Sequence, residues 1–298
     1  MRVLLSMNLD EINRIKTLAI ISLFSDDNFM KRITFKGGSA LELIYHISDR
    51  SSMDIDFSME DGFNKDELES VKEKIETLFK DTFNEQGFIV FDFKFSEEPP
   101  DISDEIADFW GGYKIEFKII KRDKAKELGN DLNAWRRQAT EVSPESKRII
   151  DINISKNEYC HIRIMRTLYD YTIYVYPINL IALEKIRAIC QQNDEYIKIV
   201  GKHKASRARD FFDIYTIVKQ KRIDLTTVDN RKLLKKIFDV KKVPFDLLIR
   251  IEQDREYHAK SFPTLKNTIN PRIKIRDFNF YFDYVVKLCN KLHSLGEV

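Results

Sequence analysis

Two short stretches contain the residue types that chemistry on phosphate requires. In Phe35-Lys-Gly-Gly-Ser-Ala-Leu-Glu-Leu-Ile-Tyr45, residues Gly37, Gly38 and Ser39 stand between a strand-like and a helical segment. Paired glycines let the backbone approach a ligand closely and bring unpaired helix amides with them, a seat suited to phosphate. A tight turn with a Ser39–Glu42 capping box satisfies the same pattern. Asp54 and Asp56, in Arg50-Ser-Ser-Met-Asp-Ile-Asp-Phe57, favour the first reading. On a strand they point the same way, roughly 6–7 Å apart, while Ile55 and Phe57 point into a core. Two carboxylates on one surface disfavour each other's ionisation unless a cation lies between them. A hard ion such as Mg²⁺ or Mn²⁺, shared with substrate phosphates, resolves that conflict. A solvated strand face is the alternative for an isolated Asp-x-Asp. Here one helix and a return strand fit between Ser39 and Asp54, which makes the glycines and the carboxylates neighbours.

Further along, Pro177 suits the first turn of a helix on which Ile178, Ile181, Ala182, Lys185 and Ile189 share a face. A lysine inside an apolar stripe either snorkels to the surface or meets an anion. The helix from Ser206 is apolar on most sides but interrupted by Asp210 and Asp213, whose charges need partners if buried. Asp213 suits a structural pairing, Asp210 a place in the site. For a third metal carboxylate, Asp151 in Ile150-Asp-Ile-Asn-Ile154 is the better candidate and Glu116, between Lys114 and Lys118, the poorer. Residues 198–209, with Lys198, Lys202, Lys204, Arg207 and Arg209, form the strongest basic patch and offer a track for an RNA backbone. Trp110, Trp135, Tyr113 and the histidines form no constellation and read as core or surface.

The elements that must position these groups follow from periodicity. A helix is predicted from Asn8, with Glu11 completing a capping box and Ile12, Ile15, Ala19 and Leu23 at helical spacing. Asp26-Asp27-Asn28 breaks it. Short strands are predicted at 32–36, 51–58 and 172–176, helices at 40–47 and 65–83. Three longer alternating strands follow the second helix: 88–95 with Ile89, Phe91, Phe93 and Phe95 on one face, 113–119, and 148–155. Beyond Pro177 the period changes from two to 3.6. The expected architecture is α+β: a mixed sheet with helices on one face over residues 1–177, then a helical domain over 178–298, with the cleft between them as the default site.

The chain has 298 residues, 43% of them hydrophobic and 33% charged, with 9 Gly and 7 Pro, a composition that excludes a disordered or fibrous protein. Lys+Arg 50 nearly balance Asp+Glu 48, so attraction to phosphate must come from local patches. Cys160, Cys190 and Cys289 are widely spaced and read as reduced thiols. There is no apolar run of roughly 18 residues to span a membrane, so a soluble cytoplasmic protein is expected.

The combination of Lys36-Gly-Gly-Ser-Ala-Leu41 with Arg50-x-Ser52-x-Asp54-Ile-Asp56-Phe57 resembles the polymerase-β-like nucleotidyltransferases. More narrowly, it resembles the AbiEii/AbiGii toxin family, to which the MenT toxins are related. Leu183-Glu-Lys185-Ile-Arg-Ala188 is similar to the family's Glu-Lys-x-x-Ala helix, and Arg207-Ala-Arg-Asp210-Phe-Phe-Asp213-Ile214 to its Arg-x-Lys-Asp-x-x-Asp-Leu motif, with Arg209 in place of a lysine. These motifs fall within residues 30–220. The family's later acid aligns with Asn153 rather than Asp151.

The resemblance implies a metal-dependent nucleotidyltransferase, the toxin of a bacterial toxin–antitoxin pair. It would transfer a nucleoside monophosphate from an NTP to an RNA acceptor such as a tRNA 3′ end. In that reading Asp54 and Asp56, with Asp151 as a candidate third ligand, hold the metal. Gly37, Gly38, Ser39, Arg50, Ser52 and Lys185 bind nucleotide, and Asp210 completes the catalytic set. A catalytically silent nucleotide- or RNA-binding module acting through an antitoxin is the alternative, and a metal-dependent nuclease a third reading.

Overall fold

Strands β1 (Ile33–Lys36), β2 (Ile55–Met59), β3 (Phe88–Glu98), β4 (Gly112–Lys121), β5 (Ile150–Ser155), β6 (Ile164–Leu168) and β7 (Tyr171–Val175) form one mixed sheet. Their order is β3-β4-β5-β2-β1-β7-β6 in this computed structural model, which describes residues 9–47, 54–143, 146–269 and 273–296. The central strands alternate, so the sheet has two different faces. Phe35, Phe57, Ile154 and Tyr113 lie in register on one face and are buried. The next row, on the opposite face, reads Lys36, Asp56, Asn153 and Lys114.

Helices α1 (Leu9–Phe24) and α4 (Leu68–Glu85) cover the apolar face. Phe24 lies 6.0 Å from Phe57 and Phe79 lies 4.9 Å from Phe117, ring centre to ring centre. The predicted stripe Ile12, Ile15, Ala19 and Leu23 is buried; the predicted start at Asn8 lies outside the described residues. Asp26 ends one helix and begins another, because its carboxylate accepts from the Asn28 and Phe29 amides and caps α2 (Asp27–Arg32). Helix α3 (Gly37–Leu43) starts earlier than expected, at the glycines themselves. On α4 the most buried residues are Ile75, Phe79 and Phe83, with Leu68, Val71 and Leu78 toward the edge.

Strand β3 corrects the sequence reading. Register shifts between Phe91 and Lys94, and Asp92 takes a left-handed φ of 50°. The extra residue flips the side chains beyond it, so Ile89 and Phe91 do not share a face with Phe93 and Phe95. Phe93 and Phe95 join the main core, while Phe91 packs with Ile120, Ala125 and Ala139 on the other side. That smaller cluster is roofed by two helices absent from the expectation, α6 (Arg122–Leu128) and α7 (Leu132–Gln138); the short α5 (Asp104–Ala107) and strand β6 were likewise not anticipated.

After Pro177 the described chain is helical: α8 (Ile178–Cys190), α9 (Asp194–Val200), α10 (Ala208–Lys221), α11 (Val228–Val240), short turns, and a last helix, Phe278–Ser294. The switch from strand to helix falls at Pro177, yet one connected apolar cluster runs from Ile15 to Leu292 and joins both halves. Phe211 of α10 stacks 4.9 Å from Phe282. The three cysteines are buried and unpaired. Among the described residues no helix is long and apolar enough to cross a membrane.

The bulge carries an ion pair that ties three elements together. Arg136 of α7 donates to both Asp92 oxygens at 2.8 Å, and Lys118 of β4 donates at 3.0 Å. The Arg136 bonds, then Lys118, hold the Asp92 carboxyl at about 2, below its ordinary 3.8, despite partial burial. A depressed carboxyl stabilises the fold above its ordinary value and loses that contribution as pH falls toward about 2. Asp92→Asn keeps a residue that tolerates positive φ and is expected to lower stability by about 1 kcal/mol at neutral pH, allowing for solvent screening. In denaturant titrations the gap from wild type should close between pH 4 and 2; a pH-independent gap contradicts the pairing.

Candidate active site

The floor of the site is the polar row of the sheet. Asp56 is flanked by Lys36 on β1 and Asn153 on β5, and Asn153 Nδ2 donates to Asp56 Oδ1 at 3.4 Å. Beyond Lys36 the chain turns into α3 through Gly37, at φ 75°. A Cβ at Gly37 would lie 2.7 Å from Asp56 Oδ2, so only glycine leaves this carboxylate its place. Burial raises the Asp56 carboxyl above its ordinary value and the Asp54 charge adds to the rise, while Lys36, Asn153 and Lys185 oppose it. Asp54 itself is exposed, just ahead of β2.

Ser39 plays a different part from the expected one. Its fully buried hydroxyl donates to the Asp54 carbonyl at 2.5 Å, fixing the chain where it enters β2. The Ser39–Glu42 capping box is not formed: α3 has no side-chain cap, and Glu42 pairs instead with Lys16 at 2.7 Å. Gly37 faces the cleft, whereas Gly38 is buried within the first turn. Arg50 and Ser52 lie outside the described residues.

The opposite wall comes from α8 and α10. Lys185 is buried, with Nζ 2.8 Å from Asp210 Oδ1 and 2.8 Å from Asp213 Oδ2. Asp210 lines the cleft and also has Arg207 at 3.7 Å. The lysine in the apolar stripe therefore does not snorkel; two aspartates one helical turn apart meet it. Floor and wall enclose a cleft of about 660 Å³ that brings Gly37, Asp56, Asn153, Lys185 and Asp210 together.

Asp151 is not part of this cleft. It sits two residues along β5 from Asn153, bonded to Lys147 and 3.4 Å from Lys114, so two lysines already answer its charge. Glu116 is engaged by Lys114 at 2.8 Å. The strand position beside Asp56 belongs to Asn153, and neither Asp151 nor Glu116 lines the cleft. Of the expected pair of carboxylates, Asp56 lines the cleft and Asp54 lies exposed just ahead of the same strand.

With this geometry in view, comparison with known proteins is informative. The family described as "Nucleotidyl transferase AbiEii toxin, Type IV TA system" matches residues 20–284. The chain belongs to the AbiEii nucleotidyltransferase toxin family. No curated protein matches it. Among solved structures it is similar to JHP933 from Helicobacter pylori, with TM-score 0.47 and 15% identity over 97% of this chain and 94% of that one. It is also similar to an antigenic nucleotidyltransferase-like protein from Paracoccidioides brasiliensis, with TM-score 0.38 and 12% identity over 88% of this chain and 94% of that one. The family match runs well past residue 220, where recognisable motifs stop, so the helical half belongs to the AbiEii unit.

Along the wall of this AbiEii cleft runs an ion network that the sequence did not reveal. Lys36 reaches Glu184 at 3.3 Å and Glu158 at 3.7 Å. Arg187 donates to both Glu158 oxygens at 3.0 and 2.8 Å and to Glu184 at 2.9 Å. Lys241 is 3.4 Å from Glu158 and donates to the Lys156 carbonyl at 2.7 Å. Burial alone would raise Glu158, but Arg187, Lys36 and Lys241 together bring it down to about 2. The Glu-Lys pair of the α8 motif thus splits its work, Glu184 holding the lysine that flanks Asp56 and Lys185 meeting α10. The one available signal was three charges, Glu184, Lys185 and Arg187, within one turn of an otherwise uncharged α8; Glu158, in a loop, gave none. Trp110, also unassigned from sequence, lines the cleft.

Removing Lys185 leaves Asp210 and Asp213 close together without their shared cation. Lys185→Met is therefore expected to cost about 3–5 kcal/mol of stability. Adding Asp213→Asn should recover part of that loss; strictly additive losses in a double-mutant cycle contradict the shared pairing.

Proposed function

We propose that this AbiEii enzyme transfers a nucleoside monophosphate from an NTP to an acceptor hydroxyl on RNA, such as a tRNA 3′ end, in the cytoplasm, with Mg²⁺ or Mn²⁺ at Asp54 and Asp56. An antitoxin protein is the partner this role implies. The observation that carries the reading is the Asp56 carboxylate, set against Gly37 and facing the Lys185–Asp210 pair across one cleft. The donor set fits a hard divalent cation. Asp56 is half-buried, receives one long hydrogen bond of 3.4 Å from Asn153, and is disfavoured as an anion by its partial burial and by Asp54. Two carboxylates suffice where substrate phosphates and water complete the shell.

When bound, the cation supplies charge neutralisation at the reacting phosphate and a template for in-line displacement. The acceptor hydroxyl gives up its proton to water as its oxygen attacks the α-phosphorus, the bond to the bridging oxygen breaks, and pyrophosphate leaves. Gly37 lets the polyphosphate approach the backbone. Lys185 offers its ammonium to the charge that builds on phosphate oxygens, and Asp210 orients that ammonium. Ser39 acts through Asp54, by holding its carbonyl.

Asn153 supports a second reading, because a neutral amide stands in register with Asp56 where the family's later acid aligns. In that reading the cleft binds nucleotide or RNA without turnover. Incubation with each labelled NTP and total RNA separates the two. Transfer predicts label in RNA, reduced at least about a hundredfold in Asp54→Ala and Asp56→Asn. Retained but unincorporated label supports the silent binder, and shortened RNA a nuclease. Unchanged labelling in Asp54→Ala ends the metal assignment.

A further inference from the structure

The basic segment at 198–209 divides when the chain folds. Lys204 turns to Asp194 at 2.8 Å and Asp254 at 2.6 Å, whereas Lys202 and Arg207 line the cleft. Most cations of the cleft already have a carboxylate: Lys36 has Glu184, Lys185 has Asp210, Arg187 and Lys241 have Glu158, and Arg207 has Asp210. Lys202 has no carboxylate within ion-pair distance among the described residues. Its ammonium lies 4.9 Å from the centre of the Trp110 ring. Lys241 approaches the same ring at 5.8 Å but is committed to Glu158 and the Lys156 carbonyl.

A half-buried ammonium repelled by two guanidinium groups is a costly arrangement in the absence of an anion. Burial first, then Arg207 and Arg187, push Lys202 down to about 7. The long lysine stem could carry the charge out to water; instead it is laid on an aromatic face, which stabilises a cation only in part. An arriving phosphate anion would restore the charged form and gain a charge-assisted hydrogen bond in a partly dry cleft.

We infer that Lys202, held on the Trp110 ring beside Arg207, is a seat for a phosphate group of the substrate, separate from the Asp54–Asp56 locus. The inference rests on the proposed transfer reaction and deepens it. The phosphate belongs either to the polyphosphate tail of the NTP or to the phosphodiester backbone of the acceptor. Trp110 is a positioning residue here, since it acts through the ammonium.

Two probes distinguish the sources in calorimetric titrations of the full chain: inorganic triphosphate, and a single-stranded RNA oligonucleotide with hydroxyl ends. Lys202→Met is expected to weaken at least one of them ten- to a hundredfold, and Lys202→Arg to stay within a few-fold of wild type. Loss on triphosphate places the seat under the nucleotide tail. Loss on the oligonucleotide, with the salt slope of its affinity falling by about one, places it under the acceptor. Because the substitution removes an unpaired cation, the variant should melt no lower than wild type. Should it fail to fold, Trp110→Leu provides the same comparison with the ammonium kept, and is expected to weaken the same probe. Unchanged affinity for both probes in a folded variant overturns the seat and leaves the transfer reaction standing. Failure of wild type to bind either probe overturns both.

Discussion

A half-buried carboxylate needs room and an answering charge, and Asp56 has both from Lys36 and Gly37, neighbours in the chain. Gly37 leaves the room, because a Cβ there would lie 2.7 Å from Asp56 Oδ2. Lys36, in register with Asp56 on the neighbouring strand, supplies positive charge. The pairing of β1 with β2 therefore does more than close a sheet. It sets lysine, glycine and aspartate at one spot, and it fixes where α3 must begin.

The charge on Lys36 is itself maintained from below. Glu184 and Glu158 keep its ammonium protonated against burial, and Arg187 and Lys241 balance the two glutamates. Removing any one member would leave a buried charge unanswered, a far larger loss than the pair's net contribution. The network also joins the two halves of the molecule: Lys36 comes from the sheet, Glu184 and Arg187 from α8, and Lys241 from the segment after α11. The cleft is thus bounded by groups whose spacing is set by electrostatics as well as by the apolar core that spans both halves.

What could be read from sequence was local. Alternation of Ile and Phe with polar residues gave the central strands, and Gly37 to Asp56 gave a neighbourhood because a helix and a strand fit between them. The resemblance aligned Asn153 with the family's later acid, and only the β2–β5 register sets it beside Asp56. What escaped depended on partners distant in the chain. Ser39 pairs with a backbone carbonyl, which leaves no trace in residue type. Glu158 sits in a loop 29 residues from Arg187. The bulge at Asp92 splits Ile89 and Phe91 from Phe93 and Phe95 without altering the alternating pattern that predicted a single face. Asp151 had the right residue type on the right strand, and only the lysines around it show that its charge is already met.

The central claim is that Asp54 and Asp56 share one divalent cation with the substrate's phosphates. Crystals soaked with Mn²⁺ and a non-hydrolysable NTP analogue test it most directly through the anomalous signal of manganese. The account predicts an anomalous peak contacting both carboxylates and at least one phosphate oxygen. A peak elsewhere, or a nucleotide bound in the cleft with no manganese at these two residues, would contradict it.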